Sequence, residues 1–182
     1  MARLVGEFGM SVIECDVPSS SMLDRDLIAR CYFHDSYRVR LSRTDLGMAD
    51  IFFAVFGHKP VWIKLILVAR NAVAGLAGLE VPTVAEIINP EVRSAYRVGE
   101  KIGPWPIFFL GENEIVAGRD NKHIDFRLSV LKVADGDAID IVVSTICTVH
   151  NLFGKIYLFF VVPVHRRGVR LLMSRAVAAK RL

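Results

Sequence analysis

The chain has 182 residues, a length that suits a single domain over residues 1–182 with a sizeable buried core. Hydrophobic residues make up 53% of it and the mean hydropathy is +0.39, yet the apolar stretches at 60–79 and 156–164 are too interrupted or too short for a helix of ~20 apolar residues that crosses a membrane. The net charge is only +4, and the three scattered cysteines form no metal motif or disulfide framework. The first residues lack the apolar core of a signal peptide. We therefore expect a cytoplasmic protein without metal or cofactor.

Residues 1–22 read as an N-terminal lead-in, with a loop at Val17-Pro18-Ser19-Ser20-Ser21. Residues 28–42 then alternate between two faces, which predicts the first strand. One face is apolar except for Asp35 and the hydroxyl of Tyr37. Asp35 is therefore expected to point into the interior, where a carboxylate requires a partner.

Two helices are predicted after this strand. Thr44 or Asp45 can cap a short one that ends at the Gly57-His58-Lys59 break. Pro60 suits the first turn of a longer one, which Gly78 would close. This second helix is apolar around much of its circumference, so it is either buried or covered by a partner such as a second subunit. Residues 80–104 are interpreted as a surface crossing or lid, with a short helix near 84–88.

Five strands are predicted next, at residues 105–111, 114–119, 123–134, 138–150 and 155–164. Short turns join them, so neighbouring strands must be antiparallel. Residues 166–182 are predicted to form a terminal helix. On the strand 123–134 the apolar face alternates with a polar one, which is either a wet outer surface or the wall of a polar cavity. The polar face carries His123, Asp125, Arg127 and Ser129.

This order of elements predicts an α+β domain, in which a curved antiparallel sheet of about six strands wraps around the C-terminal helix and two helices follow the first strand. The arrangement resembles the START-like helix-grip superfamily of lipid-transfer proteins and plant allergens. That resemblance implies an apolar cavity between the sheet and the terminal helix, although a terminal helix of 17 residues or fewer is short for the role. A cone-shaped nuclear-transport-factor-like fold is the alternative, but its helices normally come first.

Several short motifs occur in an order that resembles the bacterial family known as domain of unknown function 2867. They cover most of residues 31–182, with two departures, at Arg119 and Val164. The family has no established activity, so the resemblance implies the fold and transfers no catalytic residue. The motifs are His34-Asp35-Ser36-Tyr37, Pro60-Val61-Trp62, Arg70-Asn71, Gly78-Leu79, the run from Asp120 to Arg127, His150-Asn151, Gly154-Lys155-Ile156-Tyr157 and Pro163-Val164-His165-Arg166.

The polar residues in these motifs are the candidates for a site. Asp35 paired with Arg127 would hold two strands in register or bind a ligand, and we expect the two to lie within salt-bridge reach. His123 and Asp125 share a strand face, so an imidazole oriented by a carboxylate is a weak catalytic candidate. Histidines at strand ends can equally cap turns, and no close-spaced set predicts a metal. The candidate ligand-binding residues are Asp35, Tyr37, Arg127, His150 and Tyr157.

The terminal helix carries six cations and no acid, a composition that can bind anionic lipid or nucleic acid, or can simply face water while the apolar stripe docks. Three functions remain open. The first is binding of a small apolar or amphipathic molecule in an apolar interior cavity, with no nucleic-acid partner. The second is a cyclase, isomerase or hydrolase that uses a His/Asp pair. The third is a non-catalytic homodimeric interaction module built on the second predicted helix.

Overall fold

A computed structural model describes residues 11–76, 83–84, 92–93 and 95–182. The chain forms an α+β domain in which one antiparallel sheet is covered by helices. The helices and strands are β1 (Ile13–Glu14), α1 (Arg25–Arg30), β2 (Phe33–Leu41), α2 (Met48–Phe56), α3 (Val61–Leu76), β3 (Lys101–Ile102), β4 (Trp105–Leu110), β5 (Glu114–Arg119), β6 (Ile124–Asp135), β7 (Ala138–Val149) and α4 (Leu152–Ala178).

The sheet has seven strands in the order β1-β2-β7-β6-β5-β4-β3. Every pairing is antiparallel, as the short predicted turns require. The strands β4 to β7 form a meander along the chain, and β2 joins it beside β7. Gly136, at φ +62°, adopts the left-handed conformation that the tight turn between β6 and β7 needs. The two-residue strands β1 and β3 were not predicted.

The first predicted strand begins five residues later than expected, because a helical turn precedes it. Asp24 caps α1 by accepting hydrogen bonds from the backbone of Asp26 at 2.8 Å and of Leu27 at 3.2 Å. Arg30 lies in the last turn, where a cation suits the carbonyl end of a helix. These local signals outweigh the alternation that continues back to Ile28.

The two predicted middle helices are present. α2 starts at Met48 rather than near Asp45, after Gly47, whose backbone N–H donates to Asp50 at 3.2 Å. α3 starts one residue after Pro60, while Gly78 and most of the predicted helix near 84–88 lie outside the described residues. Within the described ranges no single helix is long and apolar enough to cross a membrane. Taken together, α2 and the first part of α3 have the length and composition of a membrane span, but they meet at a bend of 87°.

The predicted strand at 155–164 is wrong, because these residues form the first half of α4. Asn151 caps this helix by accepting from the backbone N–H of Gly154 at 3.1 Å. Pro163 lies inside it. A run that is apolar at odd and even positions alike does not distinguish a strand from a helix. The terminal helix consequently has 27 residues, ten more than the upper limit expected.

The inner face of the sheet packs against α2 and the second half of α4. Leu172 and Met173 of α4 share one buried cluster with Ile51 of α2 and with the strands. The rings of Phe52 and Trp105 pack edge to face there, with their centres 6.1 Å apart, so an aromatic ring of a helix packs against one of a strand. This core positions α4 across β2 and β7.

The outer face of the sheet is covered in part by the segment that contains α1. Leu23 packs against Val116 of β5 and Ile146 of β7. The carboxylate of Glu114, only 3% exposed, accepts from Ser21 Oγ at 2.6 Å, from the Met22 backbone N–H at 2.7 Å and from Ser129 Oγ at 2.5 Å. Residues 18–30, which we call the strap, are therefore held against the sheet, and Glu114 fastens them at Ser21 and Met22.

An ion-pair cluster on β2, β6 and β7 lies further along the sheet. Asp140, nearly buried, contacts the guanidinium groups of Arg38 and Arg40, the latter at 2.7 Å. Arg40 also contacts Asp135, which is half exposed, at 2.7 Å. The hydrogen bond from Arg38 to Asp140 raises the pKa of Arg38. The cluster joins the edge of the meander to β2.

Candidate functional site

The carboxylate of Asp35 lies in the interior, as its place on an apolar strand face predicts. Its side chain is 1% exposed. Oδ2 accepts from the hydroxyl of Tyr37 at 3.1 Å, and Oδ1 lies 3.3 Å from His165 Nε2. Because a carboxylate only accepts, His165 must carry its proton on Nε2 to complete this bond. We call Asp35, Tyr37 and His165 the Asp35 cluster; it ties β2 to α4.

Tyr37 keeps its proton under ordinary conditions. Burial and then the negative charge of Asp35 raise its pKa to about 12. The guanidinium of Arg170 lies 4.8 Å from the centre of the Tyr37 ring and also pairs with Glu14 of β1. Tyr37 is therefore a neutral hydrogen-bond donor to Asp35, held beneath a cation.

A recess of roughly 360 Å³ adjoins this cluster at the edge of the sheet, where β1 ends and β2 continues. Three of its six lining residues are acidic, and one of these, Glu14, is paired with Arg170. A recess with this lining favours a ligand that carries a positive charge or hydrogen-bond donors. The lining residues are Glu14, Cys15, Asp16, His34, Asp35 and Ser36.

The predicted pair of Asp35 and Arg127 is wrong. Asp35 pairs across the sheet with Thr145, and Thr145 with Leu128, so Asp35 shares the face of Leu128. Arg127, one residue earlier, lies on the opposite face. There it donates to Asp120 at 3.0 Å and stacks 3.6 Å from the ring centre of Phe108. The polar face of β6 is thus part of the outer surface of the sheet.

The predicted pair of His123 and Asp125 is also replaced by other partners. Asp125 contacts Nε2 of His150 at 2.8 Å. His123 Nδ1 lies 2.9 Å from the side-chain nitrogen of Asn151, and its ring packs 4.7 Å from the ring of Phe153. Asn151 is also the N-cap of α4, so this group organises the start of β6, the end of β7 and the start of the helix.

Of the five predicted ligand-binding residues, the structure brings Asp35 and Tyr37 together. Arg127 lies on the outer face and His150 at the end of β7, away from that cluster. Tyr157 is half buried on α4 and packs against the small apolar cluster around Phe33. Among the described residues, no group of three or more His, Cys, Asp or Glu side chains could hold a metal ion.

His165 is the member of the cluster whose role sequence reasoning missed, since it was placed at a strand end. On a helix it follows Leu158 by seven residues and precedes Val169 by four. Leu158 and Val169 are buried on the face of α4 that meets the sheet. A helical reading of residues 155–164 would have placed His165 on that face, opposite the one unexplained carboxylate of β2.

One family model matches most of the chain. The model of the family described as "Protein of unknown function (DUF2867)" matches residues 27–172. No curated protein and no solved structure matches the chain significantly.

Proposed function

Because the chain belongs to the DUF2867 family, whose description assigns no activity, we propose from its own residues that it binds a small amphipathic molecule at the recess beside the Asp35 cluster. The observation that carries the proposal is a buried carboxylate, Asp35, whose hydrogen-bond partners in the described part of the chain are Tyr37 and His165 rather than a Lys or Arg, next to an open polar recess. Burying a carboxylate without such a cation is unfavourable, and such arrangements concentrate at functional sites.

The ligand's polar group is expected to be cationic or rich in hydrogen-bond donors, because Glu14 and Asp16 line the recess. We place this group at the edge of the sheet and not in an apolar space under the terminal helix. The reason is that residues of the sheet, α2 and α4 pack into one continuous core. A START-like ligand cavity remains a hypothesis derived from the resemblance alone.

The test compares two fluorescent probes of equal chain length, an alkylamine and a fatty acid, titrated at low and high salt. The alkylamine should bind more tightly, and Asp16→Asn should weaken it about tenfold, the effect of one lost charge-assisted contact. Asp137→Asn, an exposed position in the β6–β7 turn, is the matched control. Failure of both probes to bind, or equal binding to all three proteins, would contradict the proposal.

Nucleic acid is not part of this proposal. A labelled oligonucleotide in the same titration should give no saturable binding. Charge-driven nucleic-acid binding would appear as an affinity that falls steeply with salt. A location in the cytoplasm also belongs to the proposal, and the free state of all three cysteines supports it.

A cyclase, isomerase or hydrolase using a His/Asp pair is the second candidate, and the contact of His165 with Asp35 favours it. A carboxylate that orients an imidazole leaves its other nitrogen free for proton transfer. A panel of chromogenic esters would test for turnover. His165→Gln should abolish it, while His58→Gln, on an exposed side chain, should not. Loss on His123→Gln instead would return the role to the residue first predicted.

A homodimer built on α3 is the third candidate. Val61, Trp62 and Leu65 are 73%, 51% and 63% exposed, a surface that a C2 partner would cover. Sedimentation velocity at micromolar concentration should show a dimer that Trp62→Ser converts to a monomer. A monomer in the unchanged protein would remove this candidate.

A further inference from the structure

The first half of α4 presents an apolar face to solvent. Its large side chains are more exposed than apolar residues of a packed helix, and they recur along one side of it. The exposed fractions are 70% for Leu152, 51% for Ile156, 73% for Phe159, 68% for Phe160 and 50% for Val164. Contiguous exposure of this kind marks a surface that another apolar phase covers.

This exposed row is separate from the face that folds the protein. Ile156, Phe160 and Val164 follow one another at intervals of four residues, which keeps them on one side of the helix. The buried positions Leu158 and Val169 lie on the other side, against the sheet. One face of α4 therefore packs against the core, and the exposed row on the other face has no partner among the described residues.

Positive charges accompany the row. Lys155, Arg166 and Arg167 are exposed, and no acidic residue occurs anywhere between Leu152 and Ala178. Asp125, the acidic residue at the start of β6, is paired with His150, which precedes the N-cap of α4. The local field at this surface is consequently positive.

We propose that the first half of α4 docks this protein on a membrane surface that contains anionic lipids. Aromatic and aliphatic side chains on one face with lysine and arginine beside them are the composition of helices that lie in the headgroup region. Phe159 and Phe160 enter the acyl boundary, and Lys155 and Arg167 contact lipid phosphates. A second copy fits this face less well, because a symmetric contact would bring like charges together.

The experiment is co-sedimentation with vesicles of phosphatidylcholine alone and of phosphatidylcholine mixed with phosphatidylglycerol, at low and high salt. Binding should be at least about tenfold tighter to the anionic vesicles and should weaken with salt. The double variant Phe159→Ser with Phe160→Ser should lose binding at both salt concentrations. Lys155→Glu with Arg167→Glu should lose mainly the preference for anionic lipid.

The matched control is Met22→Ser with Val98→Ser, which removes exposed apolar side chains (59% and 60%) outside α4 and outside the candidate dimer surface and should leave vesicle binding unchanged. Equal loss in both double variants would overturn the assignment to α4. So would a protein that ignores vesicles while sedimenting as a dimer that Phe159→Ser with Phe160→Ser dissociates. Circular dichroism of each variant should match the unchanged protein, because the replaced side chains are exposed.

A direct readout needs no loss of function. Phe160→Trp places an indole at the centre of the row, and brominated lipids quench indole fluorescence on contact. Quenching above that of the parent protein is expected only with anionic vesicles. The same quenching in the parent, which carries Trp62 and Trp105, would show that another surface makes the contact.

Discussion

Removing the carboxylate of Glu114 should detach the strap from the outer face of the sheet. In Glu114→Gln the amide oxygen can stay with the two serine hydroxyls, which both donate to Oε1. The amide nitrogen then faces the backbone N–H of Met22, which in the unchanged protein donates to Oε2 of Glu114. One charge-assisted hydrogen bond is lost and a donor is stranded, so unfolding free energy should fall by about 2–3 kcal/mol.

Glu114→Ala removes all three acceptor contacts and should lower the unfolding free energy by about 4 kcal/mol, because the serine hydroxyls can rotate to other acceptors but the backbone N–H cannot. For a chain of this size that corresponds to a fall of roughly 8–16 °C in Tm. Urea denaturation followed by circular dichroism gives the free energies. Limited proteolysis should show new cleavage near α1 in the alanine variant before the sheet unfolds.

Glu112→Gln is the control, since Glu112 is exposed in the turn that directly precedes Glu114 and β5. It should change stability by less than about 0.5 kcal/mol. A loss below about 1 kcal/mol in Glu114→Ala, with unchanged cleavage near α1, would refute the reasoning that this carboxylate fastens the strap.

Three other tests, two of them with a control variant, concern separate parts of the structure. Gly154→Ala should lower stability by about 1–3 kcal/mol in thermal melts, because the new Cβ would lie 2.5 Å from the backbone oxygen of His123. Gly168→Ala is the control: the helix has open space at this position, so alanine should stabilise the protein by a few tenths to about 1 kcal/mol. Burial lowers the pKa of Lys59 to about 8, so the unfolded state binds more protons than the folded state between about pH 8 and 10.5. The protein should therefore become more stable as the pH rises through this window. Lys59→Met should be more stable than the unchanged protein below about pH 8, and this difference should shrink between about pH 8 and 10.5. Asp140→Asn should cost about 2 kcal/mol in urea denaturation by leaving two guanidinium groups without their shared carboxylate, and the half-exposed Asp135→Asn should cost less than half of that.

The meander was predictable because its signals are local. Alternation and short turns placed β4, β5, β6 and β7 to within one or two residues. The error at residues 155–164 has a different origin. Its aromatic and β-branched residues favour strands, and only the cap at Asn151 with Gly154 three residues later indicates a helix.

Only the part of the candidate site that lies on β2 could be predicted from the sequence. Asp35 and Tyr37 were recognisable from one strand, because a carboxylate on an apolar face must find a partner there. The partner lies 130 residues away on α4, and its position depends on how the helix crosses the sheet. The register of paired strands determines which residues share a face of the sheet. The pairing of β6 with β7, and of β7 with β2, places Arg127 on the face opposite Asp35, so the two cannot form the predicted pair.

The placement of β2 beside β7 has a kinetic consequence. Ser36 and Ser144, which touch across this junction at 2.8 Å, are 108 residues apart in the chain. Closing so long a loop costs entropy that the contact itself repays only after β7 has a partner in β6. The hairpins from β4 to β7 can form from neighbouring residues alone. Refolding should therefore proceed through a state in which the meander is protected from hydrogen exchange while β2 still exchanges freely, and the Asp35 cluster should be among the last contacts to assemble.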